Sequence, residues 1–102
     1  MSIHLYQHDL PDNISFGTSV AIDTETMGLS LTRDRLCLVQ LSCGDGTAHL
    51  VQIAADKQPC PNLISLLADK KCEKLFHFGR FDLAMLTRDI GPISGPVYCT
   101  KI

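Results

Sequence analysis

Ser19-Val20-Ala21-Ile22-Asp23-Thr24-Glu25-Thr26-Met27-Gly28-Leu29 is an apolar run that ends in two acids and a glycine-containing turn. Residues 19–23 have the β-branched and small apolar content of a buried strand. Side chains two apart on a strand share a face, so Asp23 and Glu25 project together from the strand's end. Two carboxylates held there repel each other unless something cationic sits between them. Hard oxygen ligands of this kind suit Mg²⁺ or Mn²⁺, not zinc or copper. A bare Asp-x-Glu is weak: nine Asp and two Glu in 102 residues yield one by accident in about one shuffled sequence in six. Its weight comes from the apolar strand before it and the turn after it.

On either side the chain reads as strands and then as alternating helix and strand. Leu36-Cys37-Leu38-Val39-Gln40-Leu41-Ser42 is a second strand, Gly44-Asp45-Gly46-Thr47 a turn, and Ala48-His49-Leu50-Val51-Gln52-Ile53 a third strand. With residues 19–23 these make an antiparallel meander. Upstream, Ile3-His4-Leu5-Tyr6 alternates as a short edge strand before a loop at Asp9-Leu10-Pro11-Asp12-Asn13. Downstream, Asn62 is the expected N-cap of a helix over 63–70, where Leu63, Leu66, Leu67 and Lys70 recur at helical spacing. Lys74-Leu75-Phe76-His77 is a further strand. A helix over 79–89 carries Phe81, Ala84, Met85 and Arg88 and is ended by Gly91-Pro92. Val97-Tyr98-Cys99 is a last strand. Three antiparallel strands followed by alternating helix and strand predict an α/β fold with a mixed sheet. At 102 residues, the chain makes one domain.

Composition narrows the function classes. The chain is 45% hydrophobic and 20% charged, which is globular and not disordered. Its net charge of −2 argues against a strongly basic duplex-binding module. It is compatible with a nuclease that grips a few nucleotides and screens their phosphates with bound cations. Cys37, Cys43, Cys60, Cys72 and Cys99 form no C-x-x-C pair and have no spacing suited to zinc. They are expected to be reduced, small apolar residues of a cytoplasmic protein. No apolar stretch approaches the roughly 18–20 residues of a membrane span.

A second signal is Leu75-Phe76-His77-Phe78-Gly79-Arg80-Phe81-Asp82-Leu83-Ala84-Met85-Leu86, where a strand feeds a helix with Asp82 in its first turn. Alone, that acid is accounted for by favourable placement at a helix N-terminus. Together, D-T-E-T-x-G-L and H-F-x-x-F-D-L-A-x-L resemble the first two exonuclease motifs of the DEDD superfamily, in its ribonuclease D branch. The L-C-L-V-Q-L-S strand and the G-D-G-T turn are similar to that branch as well. The likeness runs over nearly all of the chain and is nearest to the small single-domain nanoRNase C group, which degrades very short oligoribonucleotides.

That resemblance implies a ribonuclease H-like sheet and a 3′→5′ exonuclease acting on short single-stranded RNA. It implies two Mg²⁺ or Mn²⁺ ions on Asp23, Glu25 and Asp82, with homo-oligomerisation as the group's habit. It implies further that Glu25 and backbone groups near Thr26 touch the terminal 3′-hydroxyl. Leu29 either wedges between the last two bases or caps the core after the turn. His77 is either a satisfied structural residue or, beside Asp82, a contact to phosphate, and Arg80 reads as an exposed helix-start residue. The third family motif, an Asp with Tyr or His four residues earlier on a later helix, has no counterpart. Asp89 and Tyr98 do not supply it. The expectation is therefore a C-terminally truncated exonuclease domain over residues 1–102, itself inactive, with an uncovered apolar sheet face. Two alternatives stand beside it: a non-catalytic nucleic-acid-binding or assembly domain, and a DNA exonuclease of the proofreading type.

Overall fold

Buried and exposed side chains alternate along Ser19–Thr26: Val20 and Ile22 are buried, while Ala21, Asp23 and Glu25 face outward. One side of this strand therefore has a core to join and the other does not. The computed structural model describes residues 2–27, 34–56, 58–77 and 79–100. Along the chain come β1 (Ser2–Gln7), β2 (Ser19–Thr26), β3 (Leu36–Ser42), β4 (Thr47–Gln52), α1 (Pro61–Ala68), β5 (Glu73–Phe76), α2 (Gly79–Asp89) and β6 (Val97–Cys99). The strands form one sheet in the order β1-β4-β3-β2-β5-β6. β2, β3 and β4 are the antiparallel meander, β1 adds in parallel at the edge beside β4, and β5 and β6 run parallel to β2. This is the mixed α/β sheet the sequence predicts.

Both helices cover the same face. Val20, Ile22, Val39, Leu41, Val51 and Phe76 pack with Leu63 and Leu67 of α1 and Met85 and Leu86 of α2 in one core. Each such side chain contributes about 1.5–3 kcal/mol when fully buried. Leu36 joins them through an irregularity. Glu25 pairs with Leu38 but Thr26 pairs with Leu36, so β3 carries Cys37 as an extra residue. The bulge turns Leu36 from the outer face, where Leu38 and Gln40 point, into the core. Among the described residues no helix lies over the outer face. Ile3 and Leu5 at its β1 edge are 64% and 57% exposed.

Two features depart from the sequence reading. Asn62 is not the cap of α1, because the helix starts at Pro61 and its cap position, Cys60, makes no side-chain bond. The free amides at its start are satisfied from a distance: Asn62 and Leu63 donate to the two Asp9 carboxylate oxygens at 2.9 and 2.8 Å. The Asn62 side chain instead donates to the Leu10 carbonyl and to Asp12, pinning the loop after β1 to the helix. Nor does the helix reach Lys70; it ends at Ala68, with Asp69 extended. Lys74 is the second surprise. It points into the core with no exposed surface, and its ammonium donates to the carbonyls of Asp69 at 2.5 Å and Ser94 at 2.8 Å. Such charge-assisted bonds offset the desolvation of the lysine and tie together the turns before β5 and before β6. Gly95 permits the second turn to close: its φ is +87°, and a Cβ there would lie 2.9 Å from the Lys70 backbone.

Replacing Asp9 by Ala should remove both bonds to the start of α1 and destabilise the chain by about 1–2 kcal/mol. Urea unfolding measures the loss, and amide exchange should accelerate first at residues 62 and 63. Unchanged stability and exchange would show that water replaces the carboxylate without penalty.

Candidate active site

β5 pairs with β2 only at Ser19, Val20 and Ala21. The last five residues of β2 thus run past β5, and among the described residues their strand partner is β3. The chain leaves β5 at Phe76 and turns into α2 through Gly79, a buried residue where a Cβ would meet the Phe76 Cβ at 2.5 Å and Cys99 Sγ at 3.0 Å. That tight turn places the first turn of α2 against the end of β2 that β5 does not reach. Ligand sites of open α/β sheets collect at such strand ends.

Asp82 lies in that first turn and is 8% exposed. The Thr24 hydroxyl donates to its Oδ1. Asp23 and Glu25 stand on the opposite, open face of β2, both exposed, and Asp23 Oδ1 accepts the Thr24 amide at 3.0 Å. Asp82, far off in sequence, is therefore brought to the residue between the two strand acids, from the helix-covered side. Burial is the main cause raising the Asp82 pKa above its ordinary value. The Thr24 hydroxyl works the other way, and Asp23 and then Glu25 push it up further. Among the described residues no three acidic, histidine or cysteine side chains already close on one metal position. The donor set is nonetheless all carboxylate oxygen, and its mutual repulsion is of the kind a hard divalent cation relieves.

The other predicted residues divide. His77 follows β5 directly, is exposed, and holds Thr100 Oγ1 at 2.7 Å from its Nδ1. His77, Thr100 and Asp23 line a shared groove on the open face with Gln40, Ser42 and Leu75. Thr26 is partly buried opposite Leu36, and Met27 donates to the Arg35 carbonyl at 3.0 Å. Leu29 and Gly28 lie outside the described residues. Arg80 is exposed, as read. Asp89 is a structural residue: it accepts the Leu36 amide at 2.9 Å and pairs with Arg88 at 2.7 Å. Gln40, which the sequence assigns to structure or solvated surface, is the cross-strand partner of Asp23, and Thr24 is a site neighbour to which the sequence assigns no role. The available signal for Thr24 was a hydroxyl at an inward position after Val20 and Ile22.

Residues 7–102 match a family described as 3′-5′ exonuclease, and the chain belongs to that family. Within it, the chain is similar to the ribonuclease D and NrnC members. Ribonuclease D of Bartonella henselae is 34% identical over 83 residues, covering 81% of this chain and 20% of that protein. NrnC of Brucella melitensis superposes with a TM-score of 0.89 at 53% identity, over 98% of this chain and 50% of that one. It has been solved with bound Mg²⁺ and bound to pGG. Escherichia coli RNase D, an exoribonuclease involved in structured RNA processing, matches 82% of this chain and 22% of its own at 25% identity, with a TM-score of 0.65. The chain thus spans half the length of that NrnC and a fifth of the ribonuclease D.

A carboxyl with a raised folded pKa binds its proton more tightly when folded. Its stability cost is absent below the ordinary value of 3.8 and grows as pH rises through the folded pKa. Asp82→Asn should therefore unfold at a higher temperature than the parent chain at pH 7–8 in chelator, with the gain shrinking toward pH 4. A gain of equal size at both pH values would assign the effect to something other than the buried charge.

Proposed function

We propose that this domain removes nucleotides from the 3′ end of short RNA, with Mg²⁺ or Mn²⁺ held by Asp23, Glu25 and Asp82. The observation that carries the reading is the meeting of Asp82 with the Asp23-Thr24-Glu25 strand end, in a chain of the 3′-5′ exonuclease family. The Brucella melitensis NrnC structures with Mg²⁺ and with pGG support a divalent cation and a short nucleic-acid substrate. Bound divalent ions supply positive charge that activates water and offsets the charge building on the phosphate in the transition state.

The chain's own residues have distinct parts in this reading. Asp23 and Glu25 present oxygens on the open face, where a strand of nucleic acid has access. Asp82 adds charge from beneath, shielded from bulk water by the first turn of α2. His77 lies in the same groove as Asp23 and contacts phosphate, with Thr100 fixing its ring. Backbone groups near Thr26, together with Glu25, receive the terminal 3′-hydroxyl, and Leu29 wedges between the last two bases.

The test uses a short 5′-labelled RNA and its DNA counterpart, with the protein that carries this domain. Mononucleotides should be released from the 3′ end of the RNA with Mg²⁺ or Mn²⁺ and not in excess chelator. Asp23→Ala should slow single-turnover cleavage on the order of 10²–10³-fold, the typical loss of a transition-state stabiliser. Leu29→Ala should raise KM with little change in kcat, since base stacking is worth roughly 1–3 kcal/mol. Full activity in chelator, or near-normal turnover by Asp23→Ala, would overturn the reading. Faster cleavage of the DNA would move it to the proofreading type, and binding without metal-dependent release would leave a nucleic-acid-binding domain.

A further inference from the structure

We infer that Thr24 is a positioning residue that holds Asp23 and Asp82 in register for a divalent cation, an inference that rests on the metal reading above. The alternation of β2 puts the Thr24 side chain on the helix-covered side, in line with the buried Val20 and Ile22. An apolar residue would serve packing there, and a partly buried hydroxyl needs a partner. Its partner is Asp82 Oδ1. The amide of the same residue lies on the stretch of β2 that β5 does not reach, and it donates to Asp23 Oδ1 at 3.0 Å. One residue thus engages one oxygen of each of two acids that come from different elements. Neither Oδ2 is engaged by a described residue.

The type of donor matters as much as its place. A lysine or arginine would orient a carboxylate equally well, but its charge would compete with a cation for the same oxygen. A hydroxyl and an amide fix the acids while leaving their negative charge in place. The amide contact survives any substitution, so the side chain's contribution can be isolated at Asp82. Partners that orient metal-binding side chains are typically worth 10–100-fold in metal affinity.

The experiment measures Mn²⁺ affinity of the full chain without substrate, from the free-Mn²⁺ electron paramagnetic resonance signal, with urea unfolding as a check on folding. Thr24→Val keeps the shape and removes the hydroxyl; Thr24→Ser keeps the hydroxyl and removes the methyl. Thr24→Val should weaken Mn²⁺ binding about tenfold or more while remaining folded, and Thr24→Ser should stay near the parent value. Parent-like affinity in Thr24→Val would overturn the inference, and so would equal weakening in both variants, which would make the role one of packing. If the unsubstituted chain bound no Mn²⁺, the metal reading itself would fail and take this inference with it. Binding by the parent that is unaffected by Thr24→Val would sink the inference alone.

Discussion

The pairing of β2 with β5 stops after three residues, and the arrangement of the acids follows from that short register. Had β5 continued beside β2, the backbone of residues 22–26 would be closed on both sides and α2 would begin farther away. Because it stops, Phe76 and Gly79 can turn the chain back over the sheet, and the first turn of α2 fills the space left beside the strand end. Gly79 is the residue this turn cannot replace cheaply, since the Phe76 side chain occupies the place of a Cβ. The Cys37 bulge acts at the same end of the sheet. It turns Leu36 into the core next to where β2 delivers Glu25, so packing and the acid pair are fixed together.

The balance of charge at this end runs against stability. Asp82 is nearly buried, has a neutral hydroxyl as its hydrogen-bond partner, and lies in the field of Asp23 and Glu25. Helix N-terminal placement favours an acid by a few tenths to about 1 kcal/mol, yet the net direction of its pKa is upward. Elsewhere the same chain compensates its charges thoroughly: buried Lys74 has two carbonyls, and half-buried Asp89 has an amide and Arg88. The contrast separates acids that hold the fold from an acid whose charge the described residues leave largely uncompensated.

Local pattern made most of the elements legible. β3 spans 36–42 as its apolar run predicts, α2 spans 79–89, and the turn at Gly44-Asp45-Gly46 falls between β3 and β4. β2 runs three residues longer than its apolar content indicates, because β3 continues to pair with the polar Thr24, Glu25 and Thr26. What local pattern could not carry was partnership at long range. The cap of α1 comes from Asp9, more than fifty residues upstream, whereas local pattern points to the nearest polar residue, Asn62. Lys74 looked like an ordinary strand residue because nothing in a sequence reveals which carbonyls will converge on its ammonium. Asp82 was legible only through the paired motifs, and its own position explained it adequately as a helix-start acid.

The two faces of the sheet separate tasks that would otherwise conflict. The helix-covered face joins a continuous apolar core from Val20 to Leu86, where a charge would be expensive. The open face carries Asp23, Gln40 and Ser42 between apolar neighbours, and there acids remain hydrated until something binds. A constellation built wholly on the open face would be easy to reach but loosely held, and one built wholly beneath would be rigid but closed. Thr24 lies where the two meet, with its side chain on the covered face and its amide bonded to an acid of the open one. Through it, the position of Asp23 is tied to the packing of α2, so the rigidity of the core reaches the exposed acid without burying it.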